Sequence, residues 1–149
     1  MTRYLCLFTL VAAAAVHAAE GEKTAVAQSD TDVSARSKAL ELAGAFSNDG
    51  YKIRDGYWAG EIETNRPQFL EVNLFAGNEY WFSAAATPPA RKIAVAVFNE
   101  KGEPVDFQTY EDGAVAAAGF MPDVSGKYFV KLALVEGGKS QFCLLYSYK

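Results

Sequence analysis

Apolar residues recur along this chain with two different periods, and the change of period divides it into two parts. Ala35, Ala39, Leu42, Ala43 and Phe46 fall three and four positions apart, which places them on one face of a helix spanning 33–46. Asp32 or Ser34 can cap its start, and Asn48-Asp49-Gly50 can end it. The apolar stripe is narrow, so such a helix persists only by packing on something else.

From Tyr57 onward the period is two. Leu70, Val72 and Leu74 alternate with Glu71 and Asn73, and after the turn Ala76-Gly77-Asn78, Tyr80, Phe82 and Ala84 alternate with Trp81 and Ser83. Pro88-Pro89 precedes Ile93, Val95 and Val97, and a turn over 99–104 leads to Val105, Phe107 and Thr109. A break at Asp112-Gly113 precedes a small-residue strand over 114–120. Tyr128, Val130, Leu132 and Leu134 follow, and Gly137-Gly138 turns into Phe142, Leu144, Tyr146 and Tyr148. These are about eight strands at the spacing of a sandwich or barrel. No helical pattern separates them, which argues against a parallel sheet with crossovers. The expected fold is all-β, two packed antiparallel sheets preceded by one short helix.

The N-terminus changes the picture more than the overall composition does. Met1-Thr2-Arg3 is a short basic start, Tyr4 to Val16 is uncharged and apolar, and Val16-His17-Ala18 has the small-x-small form that signal peptidases read. The run is shorter than the roughly 20 residues of a membrane span. The expected organisation is a signal peptide over 1–18, a flexible Ala/Ser/Thr/acid leader over 19–32, the helix and turn over 33–50, and the β domain over 51–149. The mature chain would have 149 − 18 = 131 residues and a charge of 13 − 18 = −5, because Arg3 is lost. An acidic surface disfavours nucleic acid as a partner, and no membrane span is expected after cleavage. The expected location is the periplasm or the extracellular medium.

Three stretches resemble the bacterial pre-peptidase C-terminal domain. Val72-Asn73-Leu74-Phe75-Ala76-Gly77-Asn78-Glu79-Tyr80-Trp81-Phe82 is similar to its strand, Ala-Gly turn and aromatic strand. The stretch from Val95 to Val105, with Gly102 in its polar turn, is similar to the next hairpin. Phe120-Met121-Pro122-Asp123-Val124-Ser125-Gly126-Lys127-Tyr128-Phe129-Val130 resembles the Pro and Ser-Gly that lead into a Tyr-rich strand. The likeness covers roughly Tyr57 to Lys149. It implies a jelly-roll-like sandwich used as a non-catalytic accessory or binding module in secreted proteins. Members of that family usually trail a catalytic domain, and the stand-alone copy expected here, like the helix over 33–46, departs from their pattern.

The signal peptide also carries away the only histidine, His17, and one of the two cysteines, Cys6. No Ser-His-Asp or Cys-His nucleophile system and no His/Cys zinc site can then form. Cys143, flanked by Phe142, Leu144 and Leu145, is expected to be buried and inert. Glu111-Asp112-Gly113 and Asn48-Asp49-Gly50 offer oxygen ligands to calcium, the one cofactor considered, although both also read as ordinary turns. Glu111 and Asp112 are the metal candidates. Among the aromatic residues, Tyr57, Trp58, Trp81 and Tyr110 are the candidates for a ligand-binding surface. The competing expectation for Trp81 is packing under the helix or inside a second core layer. The leading functional expectation is a non-enzymatic exported module that binds a protein, peptide or cell-envelope component. The alternatives are a carbohydrate-binding sandwich that uses exposed aromatics, and a hydrolase using carboxylates such as Glu61, Glu63, Asp106 and Glu111.

Overall fold

The computed structural model describes residues 30–149. The expected signal peptide and most of the expected leader lie outside the described residues. Helix α1 (Asp30–Ala45) and a 3-10 turn (Ser47–Asp49) are followed by nine strands: β1 (Lys52–Ile53), β2 (Trp58–Ile62), β3 (Gln68–Leu74), β4 (Tyr80–Ala86), β5 (Lys92–Asn99), β6 (Gln108–Asp112), β7 (Val115–Phe120), β8 (Gly126–Glu136) and β9 (Ser140–Tyr148).

All strand pairs are antiparallel: β2 with β9, β3 with β8, and β4 with β7 form nested pairs. The chain is therefore one long hairpin whose arms pair from the ends inward. The pairs alternate between two sheets, ordered β1-β9-β4-β7-β6 (with β2 also on β9) and β3-β8-β5. A long hairpin rolled in this way is a jelly-roll-like sandwich, and the expected fold class holds.

Between the sheets lies the main core. Ile93, Val95 and Val97 of β5 and Val130, Leu132 and Leu134 of β8 meet Phe82 and Ala84 of β4, Ala116 and Ala118 of β7, and Phe142 and Leu144 of β9. Large side chains on one sheet face smaller ones on the other, so the layers interdigitate. A second, smaller core lies outside the larger sheet. There Ala35, Ala39 and Ala43 of α1 are fully buried against Ala85, Cys143 and Leu145, with Val115 packed alongside. Alanines four apart give the helix a flat stripe on which it approaches the sheet closely.

Two boundaries differ from expectation. The helix already contains Asp30, Thr31 and Asp32, which the sequence placed in the leader. Two carboxylates in its first turn interact favourably with the positive end of the helix dipole, and these residues need no apolar cover to be helical. Asp32 and Ser34 consequently lie inside α1 and do not begin it. Residues Val105 and Phe107 do not belong to β6, which begins at Gln108. Pro104 bridges to Phe98, and the Val105 amide donates to the Val97 carbonyl (3.2 Å). The segment thus folds back on β5 and lays Val105 and Phe107 against the core before pairing with β7 begins.

Candidate functional site

An open groove of about 550 Å³ runs along one side of the sandwich. Strand register explains why that side is open. Ile53 of β1 stands opposite Ser147, and Trp58 of β2 stands opposite Leu144. Four residues, 54–57, therefore face two, 145 and 146, a bulge of two extra residues in the strand that flanks β9. Gly56, with φ +100°, makes the reversal a side chain would resist. Because this strand bows away, the inner residues behind it are reached from the side.

Trp58, Tyr80, Tyr146 and Tyr148 line the groove together with Phe75, Arg54, Asn78 and the β3 residues Glu71, Val72 and Asn73. Trp58 and Tyr146 are stacked with ring centroids 6.0 Å apart. The Arg54 guanidinium donates from Nη1 to the Tyr146 hydroxyl (2.7 Å) and lies 5.3 Å from that ring's centroid. Burial raises the Tyr146 phenol above its ordinary range, and Arg54 opposes that shift. The Tyr80 hydroxyl accepts from the Phe75 amide (3.0 Å) and from Asn78 Nδ2 (3.1 Å), which ties the 75–78 turn to the groove wall. Tyr80 and Tyr146 are only 3% and 6% exposed, whereas Phe75 is 62% exposed at the rim.

Of the four aromatic candidates, only Trp58 lies in this groove. Tyr57 is on the helix side, its ring under the Arg36 guanidinium (4.4 Å). Trp81 stacks on Phe46 at 4.2 Å with the planes 10° apart, just beyond the end of α1, and its indole lies over Gly119 of β7. Tyr110 is exposed on β6, at the sheet edge opposite β2, where it shares a cleft with Asp112 and with Lys38 and Leu42 of α1. The four do not form one aromatic strip.

The carboxylates are equally scattered. Lys139 binds Glu61 (2.7 Å) and Glu63 (3.8 Å), whereas Glu111 pairs with Lys92 (3.4 Å). β2 and β6 are separated by four strand spacings, roughly 19 Å, which exceeds the reach of two carboxyls acting on one glycosidic bond. Asp106 is exposed in the loop before β6. No cluster of three His, Cys, Asp or Glu occurs among the described residues, and Glu111 and Asp112 both lie in β6 itself. Cys143 is fully buried beneath α1, where desolvation pushes its thiol up to about 11.

Sequence reasoning missed most of the groove. Tyr146 and Tyr148 belong to a strand whose alternation was legible, whereas Arg54 follows β1 in a segment that reads as a turn, and their convergence depends on pairings some ninety residues apart. It also missed the bare outer face of the β3-β8-β5 sheet. There Glu71, Phe129 and Phe98 form one cross-strand row, and Phe69, Lys131 and Ala96 form the next. No family model matches the chain, and no curated protein matches it.

Proposed function

We propose that this chain is an exported, non-enzymatic binding module that takes a segment of a protein, peptide or cell-envelope component in the groove between β1, β2 and β3. The observation that carries this reading is the groove itself: a bulge opens the sandwich beside aromatic rings, one guanidinium and two amide side chains. Concave, largely aromatic sites with a few placed polar groups are the usual form of ligand sites. The resemblance of 72–82, 95–105 and 120–130 to pre-peptidase C-terminal domains supports an accessory role. The signal-like N-terminus supports export, and a mature chain without histidine supports a role without chemistry.

Carbohydrate binding is the second reading, favoured by the planar hydrogen-bonding groups of Arg54, Glu71, Asn73 and Asn78 beside the rings. The test is retention of envelope material on immobilised mature protein. The combined Trp58→Ala and Tyr148→Ala variant should lose at least tenfold of what the parent retains, while Tyr110→Ala should retain it all. Equal retention by parent and groove variant would sink the proposal.

A further inference from the structure

We infer that the groove's ligand is an extended peptide that adds to the free edge of β3 as a further strand, with a carboxylate of the peptide held by Arg54. This rests on the groove being the binding site, and it names the class of ligand and its manner of binding.

Three observations carry it. First, Glu71, Val72 and Asn73 are consecutive in β3, yet all three line the groove. Side chains of a strand point alternately to opposite faces. Three successive residues can border one cavity only along the strand's edge, so main-chain groups form part of the groove wall.

Second, that edge is unoccupied. β3 is the outermost strand of its sheet, pairing only with β8. Among the described residues, no backbone hydrogen bond joins 68–74 to any other segment outside that ladder. Folded proteins usually blunt such edges with proline, bulges or covering segments. The far strand of the same sheet is treated in that way: β5 has a register shift at Lys92/Ile93 and a bridge from Pro104 to Phe98. β3 runs seven residues in unbroken register with β8 and contains no proline. An added strand here would satisfy β3's outward N–H and C=O groups, and every second side chain would turn toward Trp58 and Tyr148.

Third, the charge is one-sided. Arg54 is the one cation lining the groove, and the one carboxylate there, Glu71, is ion-paired with Lys127 (3.3 Å). Arg54 spends one N–H on Tyr146, and the rest of its fork suits a carboxylate. A glycan fits less well, because Tyr80 and Tyr146 are almost entirely covered and leave only Phe75, Tyr148 and the half-buried Trp58 as ring faces to stack on, whereas a peptide also uses the β3 main chain.

The experiment selects a displayed library of random twelve-residue peptides on the full mature protein. The expected result is enrichment of peptides with alternating apolar residues and a carboxylate. Their binding should shift the amide resonances of 69–73 and the Trp58 indole. N-methylating every second amide of the best peptide in one register should weaken it at least tenfold, and in the other register less than twofold. Arg54→Gln should cost a similar tenfold. The methylation arm leaves the protein unaltered, so misfolding cannot imitate it. Peptides that bind without either register effect would overturn edge addition. If soluble cell-wall glycan fragments perturb Trp58 and no peptide does, the peptide inference fails and the groove stands as the site. If neither perturbs Trp58 or the β3 amides, both fail.

Discussion

Cys143 reports on whether α1 covers its sheet, and replacing Ala39 with aspartate should uncover it. Ala39 is the middle of three fully buried alanines, and Cys143 lies in the same small cluster. Burying three alanine methyls stabilises the docked helix by roughly 2–3 kcal/mol at about 0.8 kcal/mol each. The half-buried Phe46 on Trp81 adds to this. An unpaired carboxylate at position 39 would cost several kcal/mol if it stayed buried, so the cheaper response is release of the helix. The sandwich has its own core and stays folded.

Burial holds the thiol at about 11 against an ordinary 9.0. At pH 8 the thiolate fraction is then about one in a thousand when covered and about one in ten when released, a change on the order of a hundredfold, and only the thiolate attacks. Timed iodoacetamide labelling at pH 8, read by intact mass, measures it directly. Parent protein should label at least a hundredfold more slowly than Ala39→Asp, whose far-ultraviolet spectrum should retain its β signature. Stoichiometric labelling of the parent within minutes would refute the cover. So would an Ala39→Asp variant that remains folded and labels no faster.

Two further outcomes follow from the same face and its end. A Cβ at position 119 would sit 2.7–2.9 Å from three indole atoms of Trp81, whose other face is held by Phe46; Gly119→Ala should therefore cost about 1–3 kcal/mol. An unchanged melting temperature and an unchanged Trp81 emission would contradict that packing. Glu79 accepts from the Tyr51 hydroxyl (2.6 Å) and pairs with Lys149 (3.2 Å), and these hold its carboxyl below the ordinary 4.5. A lowered folded value means the contribution is complete above 4.5 and is lost as pH falls through the folded value. The melting-temperature gap between parent and Glu79→Gln should thus be present at neutral pH and close in acid; a gap independent of pH would show that the charge is not involved.

How much was legible in the sequence follows from which interactions are local. β3, β5 and β8 alternate because only one face of their sheet is covered, and their positions were read correctly. β4 and β9 contain continuous buried runs, Phe82 to Ala86 and Phe142 to Ser147, because α1 covers the second face. Such runs are the signature of two-sided burial, yet both strands were read as alternating, because the element that covers their second face lies far away in the chain; Trp81, outside the run, is half-buried against Phe46. The groove was not, because Arg54-Asp55-Gly56 reads locally as any turn. Its meaning arises only when Ile53 and Trp58 pair with a strand near the other end of the chain.

That bulge is also the best physical reason to place the ligand at this side of the molecule. A continuous strand from 52 to 62 would pair with β9 along its whole length, satisfy more backbone groups and close the sandwich. The chain instead inserts two residues, specifies the reversal with a glycine at φ +100°, and ties Arg54 back by its amide to the Tyr146 carbonyl (3.0 Å). Directly across the gap it leaves the edge of β3 without a partner. One interruption alone would be a local irregularity. An interrupted edge and an unprotected edge on opposite walls of one groove, with a guanidinium between them, is an arrangement that an added strand completes: it gains the β3 hydrogen bonds on one side and the exposed aromatic surface on the other. The stability forgone in folding the empty protein is recovered only when that segment is present.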